Sequence, residues 1–192
     1  LADGSVVRLS PGSTLTFPRR FGNATRDVVL EGEAFFDVEP GEAPFVVMAG
    51  TGRVTVLGTE FSVRQTARST YVAVREGRVR LASSSGSEAA DLVAGDAAVY
   101  QDGLRQLSEE HFDAAFAWMS GTIAFVEAPA FEVAAELSRR FGRPVRLGSA
   151  VDSATSLTLT LDSVGLAEAV ETFSATLGLT VTPAAGGYLV GR

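Results

Sequence analysis

Apolar and polar positions divide the chain into two differently patterned parts. Across residues 1–107 the apolar residues come in short alternating runs separated by turn residues. Runs at 6–9, 14–17, 27–30, 34–38, 45–48, 53–57, 60–64, 71–75, 78–81 and 97–100 favour Val, Phe, Thr and Tyr, which suit a pleated, half-buried surface. No helical period interrupts them. The expectation is an all-β domain of short strands, either solenoid-like or a sandwich. A loose echo recurs within it. Val29 to Phe35, Val56 to Phe61, Val74 to Val79 and Leu92 to Ala97 each carry a strand into a glycine corner and a second strand out of it. The uneven spacing excludes a strict repeat. The serine-rich run 83–87 and Asp102-Gly103 read as surface turns.

The second part reads as a small α+β domain built from two βαβ-type units. Residues 122–126 alternate as a strand, and an amphipathic helix follows Pro129. Ala130, Val133, Ala134, Leu137 and Phe141 fall at i, i+3, i+4, i+7 and i+11, one face of a helix. Leu166, Ala169, Val170, Phe173 and Leu177 repeat that spacing. Gly142 and Gly178 follow these helices, where a left-handed C-cap calls for glycine. Pro129 is expected to open the first helix, and Asp162 or Ser163 to cap the second. Residues 144–147, 156–161, 179–182 and 188–190 read as strands. Two helices that each bury one stripe imply one shared sheet beneath them. Between the two parts, Ser108 can cap a short helix carrying Phe112, Ala115, Phe116 and Met119, expected to pack between the halves. The domains are therefore 1–107, a connecting helix 108–117, and 118–192.

Charge and residue usage narrow the function classes. A net charge of -7 disfavours nucleic acid and anionic membrane surfaces, which need a cationic face. The absence of cysteine removes disulfides, zinc–thiolate sites and thiol nucleophiles. Every cationic side chain is arginine and lysine is absent, so lysine Schiff bases and P-loops are excluded. No run reaches the ~18 apolar residues of a membrane span. Leu1 to Leu9 reads as a turn and a strand with no leader before it, as expected of a piece of a longer protein.

Candidate chemistry is sparse. The lone His111 lies beside Glu109 and Glu110, where a solvated histidine is ordinary, and no second imidazole is available for a metal. Glu31 and Glu33 flank a corner, and Asp37 and Glu39 can share a strand face, but neither pair sits in the context of a hydrolase. Gly50-Thr51-Gly52 opens a strand, not a dinucleotide-binding helix. No catalytic, metal or cofactor residue is expected. Arg139, Arg140, Arg143 and Arg146 cluster at the end of the first repeated helix. They either complement its dipole or form a docking patch. Val145, Leu147, Leu179 and Val181 lie on strands whose edges can accept a partner strand. Trp118, the sole tryptophan, either plugs the junction or is an interface residue. The alternative is a β-rich carbohydrate-binding module with an appended α/β domain, which needs exposed aromatics among Phe35, Phe36, Phe45, Phe61 and Tyr71. An enzyme using His111 or Glu33 stands third.

Several ordered motifs resemble the periplasmic region of FecR-type anti-sigma factors. They are Leu1-Ala2-Asp3-Gly4-Ser5-Val6-Val7-Arg8-Leu9 with Ser10-Pro11-Gly12-Ser13, then Arg26 through Val38, Pro44-Phe45-Val46-Val47, Val56 through Val63, Val74 through Val79, and Ala117-Trp118-Met119-Ser120-Gly121-Thr122-Ile123-Ala124-Phe125. The duplicated tail resembles the small domain shared by secretins and the N-termini of TonB-dependent receptors. The resemblance implies a non-enzymatic, signal-receiving region in the periplasm of a Gram-negative bacterium, part of a single-pass inner-membrane protein. Its implied partner is the N-terminal signalling domain of an outer-membrane TonB-dependent transducer, usually loaded with a ferric siderophore and in some relatives responding to glycans. An extracytoplasmic-function (ECF) sigma factor would be held only through a cytoplasmic segment absent here, and the membrane crossed only by a helix also absent here.

Overall fold

The computed structural model describes residues 1–21 and 24–191 and resolves two compact units, Leu1–Phe116 and Ala117–Arg192. Described strand content far exceeds helix content, at 47% against 19%.

The described residues of the first unit contain twelve strands, the ten runs of the sequence reading together with one that enters the Gly95 corner and a last short one. They are β1 (Val6–Leu9), β2 (Thr14–Thr16), β3 (Arg26–Glu31), β4 (Glu33–Val38), β5 (Phe45–Ala49), β6 (Gly52–Val56), β7 (Thr59–Gln65), β8 (Thr70–Glu76), β9 (Arg78–Ser83), β10 (Ala89–Val93), β11 (Ala97–Tyr100) and β12 (Leu104–Gln106). They form two six-stranded sheets, ordered β1-β4-β7-β8-β11-β12 and β10-β9-β6-β5-β3-β2. The inward residues of both sheets make one core. Phe36 and Phe61 stack at 5.1 Å, and Phe36 meets Phe45 of the opposite sheet edge-on at 6.1 Å. The chain therefore winds as hairpins laid alternately in one sheet and the other. Each of the four echoed glycines marks a crossing between sheets. Gly32, Gly77 and Gly95 have φ near +90° (94°, 87° and 91°), and a Cβ on Gly58 would stand 2.7 Å from the Pro40 backbone.

Helix α1 (Glu109–Ala117) packs on the outer face of the first sheet, where Ser62 and Ala73 leave room for it. The Ser62 hydroxyl donates to the Ala115 carbonyl at 2.9 Å, and Phe116 meets Phe35 at 6.2 Å. By contact the body of this helix falls in the first unit.

The second unit comprises a 3-10 turn (Trp118–Ser120), β13 (Thr122–Pro129), α2 (Ala130–Phe141), β14 (Val145–Leu147), β15 (Ser156–Asp162), α3 (Leu166–Thr176), β16 (Thr180–Ala184) and β17 (Gly187–Gly191). The repeated apolar stripes bury as their spacing predicts. Ala130, Val133, Leu137, Ala169, Val170 and Phe173 are all fully buried or nearly so. Gly142 and Gly178 sit at φ 64° and 65°, closing the two helices.

The expectation of one shared sheet is overturned. Among the described residues β13 pairs with β15 alone, antiparallel, while β14, β17 and β16 form a separate sheet in that order. The opening strands of the two repeats pair with each other, and their closing strands flank β17. Each helix touches strands of both sheets, and one core holds all of them. The stripes are broad enough to be covered from two sides, so the two sheets replace one.

Both expected helix starts also differ. Pro129 is the extended last residue of β13, at φ -60° and ψ 142°, and the helix begins at Ala130. The amides of Ala130 and Phe131 donate to the carbonyls of Thr155 and Ser153 at 2.9 and 3.0 Å, which takes the place of a side-chain cap. In α3 the capping position falls to Gly165, with no side-chain cap bond. Asp162 instead remains in β15 and accepts a 2.8 Å hydrogen bond from the Thr122 hydroxyl across the sheet.

Candidate functional site

The arginine cluster separates into a buried part and an open part. Glu136 on α2 accepts from Arg139 Nε at 3.0 Å and from Arg140 Nε at 2.7 Å, at the i+3 and i+4 positions. Burial by itself raises the Glu136 carboxyl pKa. The two guanidinium groups outweigh it, and the net shift is downward. Arg139 and Arg140 are therefore bound into the helix surface. Arg143, past the Gly142 cap, is exposed. Its Nε donates to the Gly186 carbonyl at 3.0 Å and its guanidinium lies 5.6 Å from the Tyr188 ring centre. Arg146 stands outward on β14, directly opposite Leu189 of β17, which in turn faces Thr182 of β16.

This row of Arg146, Leu189 and Thr182 runs across the solvent face of the three-stranded sheet. Leu189 is 38% exposed and is the large apolar side chain most open to solvent among the described residues of this unit. An apolar centre with an arginine on its rim suits an interface with another protein. The sequence reading named Arg143 and Arg146 but missed Leu189 and Thr182. The register that brings β17 between β14 and β16 is set by non-local pairing.

The four apolar residues named with the arginines point elsewhere, and Leu179 lies one residue before β16 instead of on it. Val145 is buried, and Leu147, Leu179 and Val181 pack partly buried against the core. Their side chains serve the interior, so only their backbone edges are open to a partner. Those edges are blunted. The Val145 amide donates at 2.8 Å to Ser138 Oγ of α2, and that hydroxyl donates at 2.7 Å to the Ala134 carbonyl. On β16, Pro183 has no amide proton to offer.

The other candidates are built into structure. Ser108 Oγ and His111 Nδ1 lie 2.8 Å apart in the first turn of α1. Glu33 is 4% exposed and its backbone amide donates to Ser13 Oγ. Trp118 is half-buried, with its Nε1 shielded from solvent. The aromatics needed for a sugar platform are withdrawn. Phe36, Phe45 and Phe61 are fully buried, Phe35 lies near Phe116, and Tyr71 carries the Arg64 guanidinium 4.4 Å from its ring centre. A cleft of about 370 Å³ in the first unit is lined by Pro44, Val56, Leu57, Arg78, Arg80 and Asp91, with no converging pair of acids. Among the described residues no group of three His, Cys, Asp or Glu side chains could hold a metal ion. No described helix is long and apolar enough to cross a membrane.

Comparison with known proteins supplies what local chemistry does not. Residues 1–80 match the family model described as FecR protein. The match runs from β1 into β9 and ends within the first unit. Two crystal structures, at 1.65 and 2.50 Å, each described as a candidate anti-sigma factor from Parabacteroides distasonis ATCC 8503, share the fold of the whole chain. In each case the TM-score is 0.89 at 24% identity, covering 100% of this chain and 92% of the other. No curated protein matches.

Proposed function

We propose that this chain is the periplasmic signal-receiving region of a FecR-type anti-sigma factor and performs no catalysis. The observation that carries the reading is the FecR match over residues 1–80, joined to a fold shared along the full length with candidate anti-sigma factors. In this reading the chain belongs to a single-pass inner-membrane protein. Its second unit, which resembles the small domain of secretins and TonB-dependent receptor N-termini, binds the N-terminal signalling domain of an outer-membrane TonB-dependent transducer. The occupancy of that transducer, by a ferric siderophore in most such systems, is relayed to an ECF sigma factor held on the cytoplasmic side.

The docking surface proposed here is the outer face of the three-stranded sheet. Leu189 supplies an apolar anchor, and Arg146 and Arg143 supply charge on its rim. A transducer domain presenting an acidic rim around an apolar centre complements it. Calorimetry against signalling domains of transducers from the same genome tests the reading. The whole chain should bind one of them, and a chain lacking residues 118–192 should not. Undiminished affinity after that deletion would assign docking to the first unit and refute this placement.

A further inference from the structure

The open edge of β15 is built to pair with its own copy. Strand β15 reads Ser156-Leu157-Thr158-Leu159-Thr160-Leu161-Asp162, nearly palindromic about Leu159. Hydrogen bonds at both ends fix which of its backbone groups face β13. Ser163 N–H donates to Gly121 O at 3.3 Å, and Ala130 N–H donates to Thr155 O at 2.9 Å. In an antiparallel ladder bonded and non-bonded positions alternate. Counting inward through the β13–β15 register, Leu157, Leu159 and Leu161 bond to β13 from either end, because the bulge between Phe125 and Ala128 absorbs the extra residue on β13. Ser156, Thr158, Thr160 and Asp162 therefore turn their N–H and C=O groups away from β13, and all four are exposed.

We infer that two copies of this chain pair antiparallel through β15, about a twofold axis passing between Leu159 and its symmetry mate. That register sets Thr158 against Thr160 and Ser156 against Asp162 of the second copy. These are the residues with outward groups, so each opposed pair can exchange two main-chain hydrogen bonds. Leu159 meets Leu159 at a non-bonded position, as its own bonds to β13 require. Leucines stay on the helix side and threonines on the outer side in both copies, giving a continuous four-stranded sheet with Thr–Thr cross-strand pairs. The only charged residue in the strand, Asp162, opposes a serine rather than another acid.

The other edges of this unit carry the interruptions that block such pairing. β13 is bulged and ends in Pro129, β14 is three residues long and engaged by Ser138, and β16 contains Pro183. The β15 edge has no proline, glycine, bulge or basic residue. A seven-residue edge buries less than the ~1,000 Å² of a stable interface, so the dimer is weak and concentration-dependent. It uses a different sheet from the proposed transducer surface, so the two readings fail independently.

Two experiments on the whole chain test it. Sedimentation equilibrium should show the mass rising from 20.0 kDa toward twice that value with concentration. Thr160→Pro removes an outward amide and no bond to β13. It should keep the native circular dichroism spectrum and abolish the rise. The register is read by single cysteines introduced into this cysteine-free chain. Opposed residues stand ~5.5 Å apart between Cα atoms, within disulfide reach, whereas two copies of one position stand roughly 8 Å apart. Oxidation of a Thr158→Cys and Thr160→Cys mixture should therefore give crosslinked dimer, and either variant alone should give little. A constant 20.0 kDa mass, or equal crosslinking in all three samples, overturns the inference. Protection of the β15 amides only when a transducer domain is added would assign the edge to that partner instead.

Discussion

Replacing Arg26 by alanine should cost the first unit about 4 kcal/mol. Arg26 lies on β3 at 6% exposure, inward beside Val28 and Leu30. Its guanidinium donates to Asp3 Oδ2 at 2.8 Å, Glu39 O at 2.8 Å, Ala43 O at 3.0 Å and Leu57 O at 3.1 Å, and lies 5.5 Å from the Phe45 ring centre. One side chain thus ties the first turn of the chain to the β4–β5 connection and to the β6–β7 corner. Gly41 packs against it, where a Cβ would meet Nη2 at 3.3 Å. Removing one member of a buried ion pair costs ~3–5 kcal/mol. Three carbonyls lose a donor at about 1 kcal/mol each, and water entering the vacated space recovers part of that. The net of about 4 kcal/mol is a large share of a domain stability of ~5–15 kcal/mol. Arg26→Lys keeps the charge but not the fork of donors, and should lose about half as much. Asp3 adds a pH signature. Burial raises its pKa, but hydrogen bonds from Ser5 and Arg26 outweigh that and hold it below the usual carboxylate range. A lowered folded-state pKa means the contribution is complete above the unfolded value and disappears as pH falls through the folded one. Urea denaturation followed by far-ultraviolet circular dichroism, repeated down the acid range, reads both effects. An alanine variant within about 1 kcal/mol of the parent would refute the clamp.

Two further outcomes follow from the second unit. Glu136→Gln should cost about 2 kcal/mol at neutral pH, because two guanidinium groups lose their charged acceptor. The loss should shrink in acid as the parent's own carboxylate protonates, and urea titrations at two pH values check this. Gly142→Ala forces a Cβ into the left-handed region at φ 64° and should cost about 1 kcal/mol, read from the denaturation midpoint.

Much of this architecture is written locally in the chain. The stripes from Ala130 to Phe141 and from Leu166 to Leu177, the glycines that close both helices, and the four corner glycines all report their own backbone state. Each depends on neighbours within a turn or two. Pairing does not. Nothing near Thr122 announces that β13 joins β15 and not β14, so the two repeats were expected on one sheet and lie on two. β12 does not show in the pattern, and β10 shows only as Leu92 and Val93 entering the Gly95 corner, because Ala89-Ala90-Asp91 and Leu104-Arg105-Gln106 are weak strand formers held by their neighbours. The Arg26 clamp did leave a signal, since a charged residue shares the inward register of Val28 and Leu30. The β15 edge leaves one too, since the alternation that marks the strand is also a near-palindrome about Leu159.

The most direct test of the proposed docking is the affinity of the whole chain for a transducer signalling domain of the kind proposed as its partner, when Leu189→Ser and Arg146→Glu are introduced together. Both side chains are exposed, so the fold and its denaturation midpoint should hold. The account predicts at least a hundredfold loss by calorimetry, about 3 kcal/mol for one apolar anchor and one reversed charge. Unchanged affinity in the folded double variant would contradict it.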